Sequence, residues 1–303
     1  MKLGLLSAIL PDSTFEEVLD IASKNNYQAV ELVCWPKGVS ERRYAGVTHI
    51  DVDTLDANIV KYILDYAKSK NIEIMALGYY PNPLDPDLEK RMFYLNHIKK
   101  IIKAASDLGV NRISTFIGKN PSLSDEDNFD LFKKYWPEVI RYAEELKVQV
   151  GIENCPMYFT KDEWPGGKNL ASSPAMWRKM FEFIPSKYFG LSYDPSHLHL
   201  QGMDYIKPLK EFESRIFHIH LKDIKVYQDK IDEYGIFTYP LNYMSPKIPG
   251  EGGIDWKCFI EAIKSTSFDN CACVEIEDKA YENSFADILT AIKKSYSNVE
   301  NFF

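Results

Sequence analysis

A chain of 303 residues with 45% hydrophobic and 26% charged residues has the composition of a globular protein that can bury a large core. Its net charge of −8 at pH 7 would repel a phosphate backbone, which argues against nucleic acid as a partner. No apolar run is long enough to cross a membrane and the first ten residues lack a signal-peptide pattern, so we expect a cytoplasmic protein without a membrane partner.

Short apolar runs alternate with amphipathic helical patterns along the chain, which predicts repeated strand-helix units around a parallel sheet. The predicted strands cover residues 2–10, 29–35, 72–80, 112–119, 149–155, 189–195, 216–222 and 271–277. The predicted helices cover residues 14–26, 55–70, 85–109, 127–147, 173–184, 204–212, 255–265 and 284–300.

Eight such units favour a (β/α)8 TIM barrel, and we expect one domain over residues 1–303. A doubly wound open sheet is the alternative. That fold more often carries a Gly-rich first turn for a dinucleotide, and the segment LLSAILPDS contains none.

Four of the predicted strands end in a residue that can bind a metal, and barrel active sites lie at the carboxyl ends of the strands. These residues are Glu153 in QVGIENC, Asp194 in FGLSYD, His220 in IFHIHLKD and Glu275 in CACVEIED. A single buried acid or histidine is often structural, but several buried carboxylates repel one another unless a cation lies between them. Carboxylate oxygens and one imidazole suit Mn²⁺, Co²⁺, Mg²⁺ or Zn²⁺. The sequence therefore predicts one divalent ion.

The alternation of side chains along a strand gives these ligands a direction. Glu153 shares a face with Gly151, and Glu275 shares a face with Cys271 and Cys273. If the ligands point into the barrel, we expect both cysteines to do so as well.

Other polar and aromatic residues lie near the ends of the second and third strands. Trp35, Tyr80 and Asn82 could stack on a sugar or hydrogen-bond to it, and aromatic capping of the barrel mouth explains them equally well. Two long aromatic connections, residues 156–173 and 224–253, are expected to form an ordered lid or a subunit contact. A homo-oligomer is therefore a possible assembly.

Four motifs lie in the second half of the chain, GIENCP, LSYDPSHL, HIHLKD and PGEGGIDW, and the resemblance that they carry covers nearly the whole chain. Together they resemble the xylose isomerase-like TIM barrels called sugar phosphate isomerases/epimerases, which include ketose 3-epimerases, hydroxypyruvate isomerase and inosose dehydratase. The resemblance implies that Glu153, Asp194, His220 and Glu275 hold one Mn²⁺, Co²⁺ or similar ion. It also implies that His197 and Lys222 face the substrate.

The activity implied by this resemblance is isomerisation or epimerisation of a ketose or keto-sugar through a metal-bound enediolate. Glu153 and Glu275 would be the catalytic carboxylates, one removing the proton next to the carbonyl and the other returning it. A metal-dependent lyase or dehydratase acting on an inosose or a 3-keto-glycoside would use the same enolate chemistry. A non-catalytic sugar-binding barrel or an accessory subunit is the third alternative.

Two positions depart from the ketose 3-epimerases. Those enzymes carry a substrate-binding Arg after the metal-binding His and a Glu after the first ligand, where this chain has Val226 and Phe159. Few cations lie near the predicted site. The sequence therefore favours an unphosphorylated sugar or a glycoside.

Overall fold

The computed structural model describes residues 1–38, 45–160 and 162–303. Within them, eight parallel strands close into a barrel in the order β1-β10-β7-β6-β5-β4-β3-β2, which confirms the predicted TIM barrel. The barrel strands are β1 (Lys2–Leu6), β2 (Ala29–Val33), β3 (Glu73–Tyr79), β4 (Arg112–Thr115), β5 (Gln149–Glu153), β6 (Phe189–Tyr193), β7 (Ile216–Leu221) and β10 (Cys271–Val274).

Helices follow the strands and cover the outside of the barrel, except α8 (Gln228–Tyr234), which lies in the long connection after β7. They are α1 (Phe15–Lys24), α2 (Ala57–Ser69), α3 (Leu88–Asp107), α4 (Asp125–Leu146), α5 (Pro174–Phe183), α6 (Pro195–Leu200), α7 (Lys207–Glu211), α8 (Gln228–Tyr234), α9 (Trp256–Lys264) and α10 (Phe285–Val299). Short 3-10 turns occupy Ser7–Ile9, Glu213–Arg215, Pro240–Asn242, Lys279–Tyr281 and Glu300–Phe302. No helix among the described residues is long and apolar enough to cross a membrane.

All eight predicted helices are present, but α6 and α8 were not predicted. The predicted strands run past the observed ones at their carboxyl ends because the chain leaves the sheet there to enter the loops. For example, residues 7–9 form a 3-10 turn rather than the end of β1. As a result, Asp194 and Glu275 stand just beyond β6 and β10.

Local signals in the sequence set several helix starts. Thr14 and Glu17 form a reciprocal capping box at the start of α1. Ser173 caps α5, and Pro174 occupies the first turn, where a missing N–H costs nothing.

The lower interior of the barrel is packed with small and sulfur-containing side chains. A Cβ added to Gly4 would lie 2.6 Å from Sγ of Cys273 and 2.7 Å from Sγ of Cys271. Both cysteines therefore point inward, as the alternation of side chains predicts. Glycine at position 4 leaves the space that they fill.

The long connection after β7 is an ordered arm beside the barrel mouth. Its two strands, β8 (Asp223–Val226) and β9 (Met244–Lys247), pair antiparallel and enclose α8. The hydroxyl of Tyr239 donates a hydrogen bond to the carbonyl oxygen of Phe159, so the arm is tied to the connection after β5.

Candidate metal centre

Four neighbouring strands of the barrel deliver the predicted ligands to one place. Glu153 ends β5, Asp194 follows β6, His220 lies in β7 and Glu275 follows β10. These strands are consecutive in the sheet, with the two glutamates on the outer pair. All four side chains are buried.

The side-chain atoms of the set face one another at short range. His220 Nδ1 lies 3.3 Å from Glu275 Oε2 and 3.7 Å from Glu153 Oε2. One donor atom from each of these three residues falls within 4.8 Å of the others. Asp194 joins the set through Lys222, whose Nζ lies 3.2 Å from Asp194 Oδ2.

Three of these facing atoms are buried without a hydrogen-bond partner in the part of the chain that the structure describes. They are Asp194 Oδ2, His220 Nδ1 and Glu275 Oε2. Ion-pair contacts, such as that of Lys222 Nζ with Asp194 Oδ2 at 3.2 Å, offset part of their charge, but buried polar atoms nearly always have a hydrogen bond as well. A divalent cation would pair all three at once, and an imidazole nitrogen with carboxylate oxygens is a suitable donor set for such an ion. The residues present therefore fit a divalent metal.

The ammonium of Lys222 supplies positive charge to this set. Its Nζ lies 2.9 Å from Glu275 Oε1 and 3.6 Å from Glu153 Oε1, in addition to its contact with Asp194. Only 4% of Lys222 is exposed, so this charge is held in a poorly solvated place. The ammonium therefore occupies a position at which a cation offsets the charges of several carboxylates.

The charges of the set shift the pKa values in a consistent direction. Burial alone would raise the pKa of Glu153, but the Lys222 ammonium and the neighbouring imidazoles hold it well below its ordinary value. Burial would lower the pKa of His220, but the nearby carboxylates raise it well above its ordinary value. These charges therefore favour the carboxylate form of Glu153 and the imidazolium form of His220.

Backbone and amide groups fix Asp194 behind the site. Its Oδ1 accepts a hydrogen bond from the N–H of Ser196 at 2.8 Å, which leaves Oδ2 to face Lys222. The Asn154 side chain accepts from the Asp194 N–H at 2.8 Å and donates to its carbonyl oxygen at 2.9 Å. Asn154 therefore joins the end of β5 to the end of β6.

A buried glutamate on β2, absent from the sequence prediction, lies directly behind His220. Glu31 Oε2 lies 2.9 Å from His220 Nε2 and 2.8 Å from His218 Nε2. The hydroxyl of Tyr80 donates to Glu31 Oε1. Carboxylates in this position fix the tautomer and orientation of metal-binding imidazoles. The signal in the sequence is an acid in the middle of the apolar strand AVELV.

Asp223, the aspartate of the HIHLKD motif, forms its hydrogen bonds with a loop of the chain itself. Asp223 accepts hydrogen bonds from the N–H groups of Gly250 and Ile254 and from the indole of Trp256. A Cβ on Gly252 would collide with the Asp223 carboxylate, so this position needs glycine. The PGEGG turn thus binds an anion that belongs to the chain itself.

His197 lies behind the ligands and is not part of the cavity surface. It is fully buried, and its Nε2 lies 3.1 Å from Glu153 Oε1 and 3.2 Å from Asp194 Oδ2. In this position it can orient Glu153 and Asp194. Any contact with substrate would require the surrounding groups to move.

A cavity of about 510 Å³ opens above the carboxylates at the carboxyl end of the barrel. Glu153, Lys222 and Glu275 line it, as do Trp35 and Tyr80.

Asn82 is outside this lining. Its side chain donates to the carbonyl oxygen of Lys119 at 2.9 Å and accepts from the Lys119 N–H at 2.8 Å. This pairing favours a structural role for Asn82, between the loops that follow β3 and β4.

Comparisons with known proteins agree with this architecture. The family model described as Xylose isomerase-like TIM barrel matches residues 19–295. An inosose dehydratase of Lacticaseibacillus casei is 36% identical over 249 residues, which cover 70% of this chain and 80% of that protein. The crystal structure of the IolI protein with a bound zinc atom matches with a TM-score of 0.72 and 18% identity, covering 100% of this chain and 99% of that one. A D-psicose 3-epimerase determined in the presence of D-fructose gives a TM-score of 0.71 and 11% identity, covering 98% and 97%.

Proposed function

Because this chain belongs to the xylose isomerase-like TIM barrel family, we propose that it is a divalent-metal-dependent isomerase or epimerase of a ketose or keto-sugar. Glu153, Asp194, His220 and Glu275 would hold the ion. Glu153 and Glu275 would also carry the proton.

The observation that carries this proposal is the placement of two carboxylates around one cationic position. Glu153 and Glu275 come from the two outer strands of the ligand-bearing run, and both line the cavity floor. Oxygens of both lie within 3.6 Å of Lys222 Nζ. A sugar above this position would have a carboxylate from each outer strand within reach.

When bound, a divalent ion would polarise the carbonyl of the sugar and make the neighbouring C–H more acidic. The chain would supply the proton transfers. The low pKa of Glu153 favours its carboxylate form, which can accept the proton from carbon. Glu275 would first take a proton from water and then return it to the opposite face or to the adjacent carbon, and Glu153 would release its own proton to the solvent. Return of the proton to the opposite face gives an epimer, and return to the adjacent carbon gives an isomer.

Lys222 would exchange partners when the ion and the sugar bind. With the carboxylates holding an ion, Lys222 would no longer be needed to offset their charge, and its ammonium would be able to donate hydrogen bonds to a sugar oxygen. Since Lys222 lines the cavity, this needs only a movement of its side chain. It would stabilise the negative charge that forms on that oxygen.

The 36% identical inosose dehydratase favours a second candidate, a dehydratase or lyase. Proton removal by Glu153 would be unchanged, but a hydroxyl or an alkoxy group would then leave from the neighbouring carbon. The two candidates differ only after the first proton transfer.

Proton NMR in D₂O would test the proposal. The protein is incubated with Mn²⁺ or Co²⁺ and a panel of ketoses, keto-glycosides and inososes. Exchange of the C–H next to the carbonyl with solvent deuterium is expected, and Glu153→Gln should lose it while keeping the wild-type circular dichroism. Glu163→Gln is the matched control, because Glu163 is buried at the same cavity but accepts a hydrogen bond from the Phe159 N–H.

The outcomes separate the candidates. Exchange with an epimer or isomer as product supports the first, and an unsaturated or bond-cleaved product supports the second. Undiminished exchange in Glu153→Gln would remove Glu153 from the mechanism. If no compound showed exchange, both catalytic candidates would fail and a binding protein would be the remaining alternative.

A further inference from the structure

The cavity above the carboxylates has two chemically different halves. The ligands come from β5, β6, β7 and β10, which form one side of the barrel. The other side, formed by the ends of β1 to β4, contributes Leu6, Ala8, Val33, Trp35 and Phe116 to the lining. A molecule in this cavity would meet charge on one side and hydrocarbon on the other.

The apolar half is a continuous and firmly packed wall. Leu6 and Val33 are buried in one cluster, against which Trp35 and Tyr80 pack. The rings of Tyr80 and Phe116 lie 5.2 Å apart and continue the wall toward β4. Because its members support one another, this surface is in place before any ligand arrives.

Among the described residues that line this wall, few side chains can bind a sugar hydroxyl. Two of them carry a polar group, Trp35 and Tyr80, and the Tyr80 hydroxyl donates to Glu31. Sugar hydroxyls facing this wall would lose water without gaining partners, which opposes binding. A flat apolar group would instead gain from burial against the aromatic rings.

The arm over the mouth adds more apolar surface. Leu241 and Met244 line the cavity from the arm, and Phe159 lines it from the connection after β5. Phe159, Leu241 and Met244 belong to one cluster, which also includes Val226. An apolar substituent would therefore be covered from above as well as from the side.

Among the described residues, the charges that line the cavity oppose a phosphorylated ligand. They are five acids, Glu153, Glu163, Glu275, Glu277 and Asp278, and three lysines, Lys222, Lys247 and Lys279. Lys247 lies 3.2 Å from Asp278. Lys222 is held among the carboxylates described above. The anion-binding turn at residues 249–253 already holds Asp223.

We infer that the substrate is an uncharged keto-glycoside whose sugar ring lies over Glu153 and Glu275 and whose flat apolar aglycone packs on the wall formed by β1 to β4. The inference rests on the proposed function, because that function places the sugar at the carboxylates. To that function, the inference adds the class of substrate. The size of the cavity agrees, since about 510 Å³ lies within the range of roughly 300–1,000 Å³ for drug-sized ligands, and a free monosaccharide is smaller than these.

Titration calorimetry of the Mn²⁺-loaded protein would test this inference without requiring turnover. The probes are phenyl and methyl β-glycosides of glucose, galactose and mannose, together with glucose 6-phosphate. For at least one sugar, the phenyl glycoside is expected to bind at least tenfold more tightly than its methyl partner. The sugar phosphate should bind more weakly than either.

Three variants would show whether the preference for the phenyl glycoside depends on Trp35. Trp35→Ala should reduce the phenyl-to-methyl ratio at least fivefold, and Trp35→Phe should restore most of it. Phe93→Ala, which removes an aromatic ring from the outer surface of α3, should leave the ratio unchanged.

Equal affinities for phenyl and methyl glycosides, no binding of any glycoside, or preferred binding of the phosphate would each overturn the inference. A phenyl preference that depends on Trp35 would support it even if no deuterium exchange is found. In that case the proposed catalytic function would fail and the ligand class would stand.

Discussion

Nε2 of His220 lies 2.9 Å from Oε2 of Glu31, although 189 positions separate the two residues in the sequence. Glu31 is on β2 and His220 is on β7, so the contact crosses the inside of the barrel. The N–H at Nε2 donates to Glu31, which leaves Nδ1 facing Glu153 and Glu275. The carboxylate on β2 thus selects the nitrogen that is offered to a metal.

Replacing Glu31 by Gln should weaken metal binding. The amide oxygen can still accept a hydrogen bond, but it lacks the charge that orients His220 and increases its basicity. Loss of such a partner typically lowers metal affinity by about 10- to 100-fold. Competition between the protein and a chelator for Mn²⁺ or Co²⁺ would measure this change.

Glu163→Gln is the control for that measurement, because Glu163 is equally buried beside the cavity but accepts from the Phe159 N–H. Its affinity for the metal should match that of the wild type. Wild-type affinity in Glu31→Gln would show that Glu31 does not support the site.

Lys222→Met should make the stability of the protein depend on metal. Without Lys222, the carboxylates of Asp194, Glu275 and Glu153 lose their nearby ammonium. Removing one partner of a buried ion pair costs about 3–5 kcal/mol, and we expect a loss of this size in the metal-free variant. Added Mn²⁺ should restore most of it, since the ion supplies the missing charge.

Urea denaturation with chelator and with Mn²⁺ would measure both effects. Lys61→Met is the matched control, since it removes an ammonium paired with Asp65 on the exposed face of α2. That control should change stability little under either condition. If the metal stabilised the wild type more than Lys222→Met, Lys222 would not be the substitute cation.

The strand pattern and the chemistry of the strand ends were enough to predict the barrel and to single out residues that prove to lie together. Glu153, Asp194, His220 and Glu275 each stand at or near the carboxyl end of a strand, so closure of the sheet brings them together. Period-two and period-3.6 patterns are local, and the barrel follows from repeating them.

Contacts across the barrel are not local and could not be predicted in the same way. The sequence shows an acid within AVELV, but its contact with His220 depends on which strands face one another after closure. The contacts of loop side chains could not be predicted either, because no periodic pattern in the sequence determines the direction in which they point. Asn82, for example, follows β3 as predicted, yet its amide is used by Lys119.

Buried histidines outside the metal centre should make the protein less stable in mild acid. His49 Nδ1 lies 2.9 Å from the Ser7 hydroxyl and its Nε2 lies 3.0 Å from the Leu10 carbonyl oxygen. Burial lowers the pKa of His49, and it also lowers the pKa of His97. Below the unfolded-state pKa of about 6.5, the unfolded chain therefore binds protons that the folded chain does not.

The free energy of unfolding should accordingly fall as the pH decreases from 7 to 5, by at most about 1.4 kcal/mol per pH unit for each such histidine. Urea denaturation in the presence of chelator would follow this change, because chelation removes the contribution of a bound metal. His49→Gln and His97→Gln should each flatten the dependence. An unchanged slope in both variants would mean that other groups cause the acid sensitivity.

Gly78→Ala should disturb the metal centre without removing any polar group. A Cβ at this position of β3 would collide with Oε1 of Glu31 and would lie 3.0 Å from Cε2 of Tyr80. The Glu31 carboxylate would have to move, and His220 would lose its support. We expect metal affinity to fall about tenfold or more, as for Glu31→Gln, and stability to fall by about 1–3 kcal/mol.

Gly4→Ala is the control that distinguishes displacement of the Glu31 carboxylate from the general effect of overpacking the barrel interior. Its Cβ would meet Sγ of Cys271 and Cys273 inside the same barrel, and its nearest atoms include neither Glu31 nor a ligand side chain. That variant should lose a similar amount of stability and keep its affinity for Mn²⁺, measured by the same chelator competition. If a folded Gly78→Ala protein bound Mn²⁺ as tightly as the wild type, the position of the Glu31 carboxylate would not control the ligand geometry of His220.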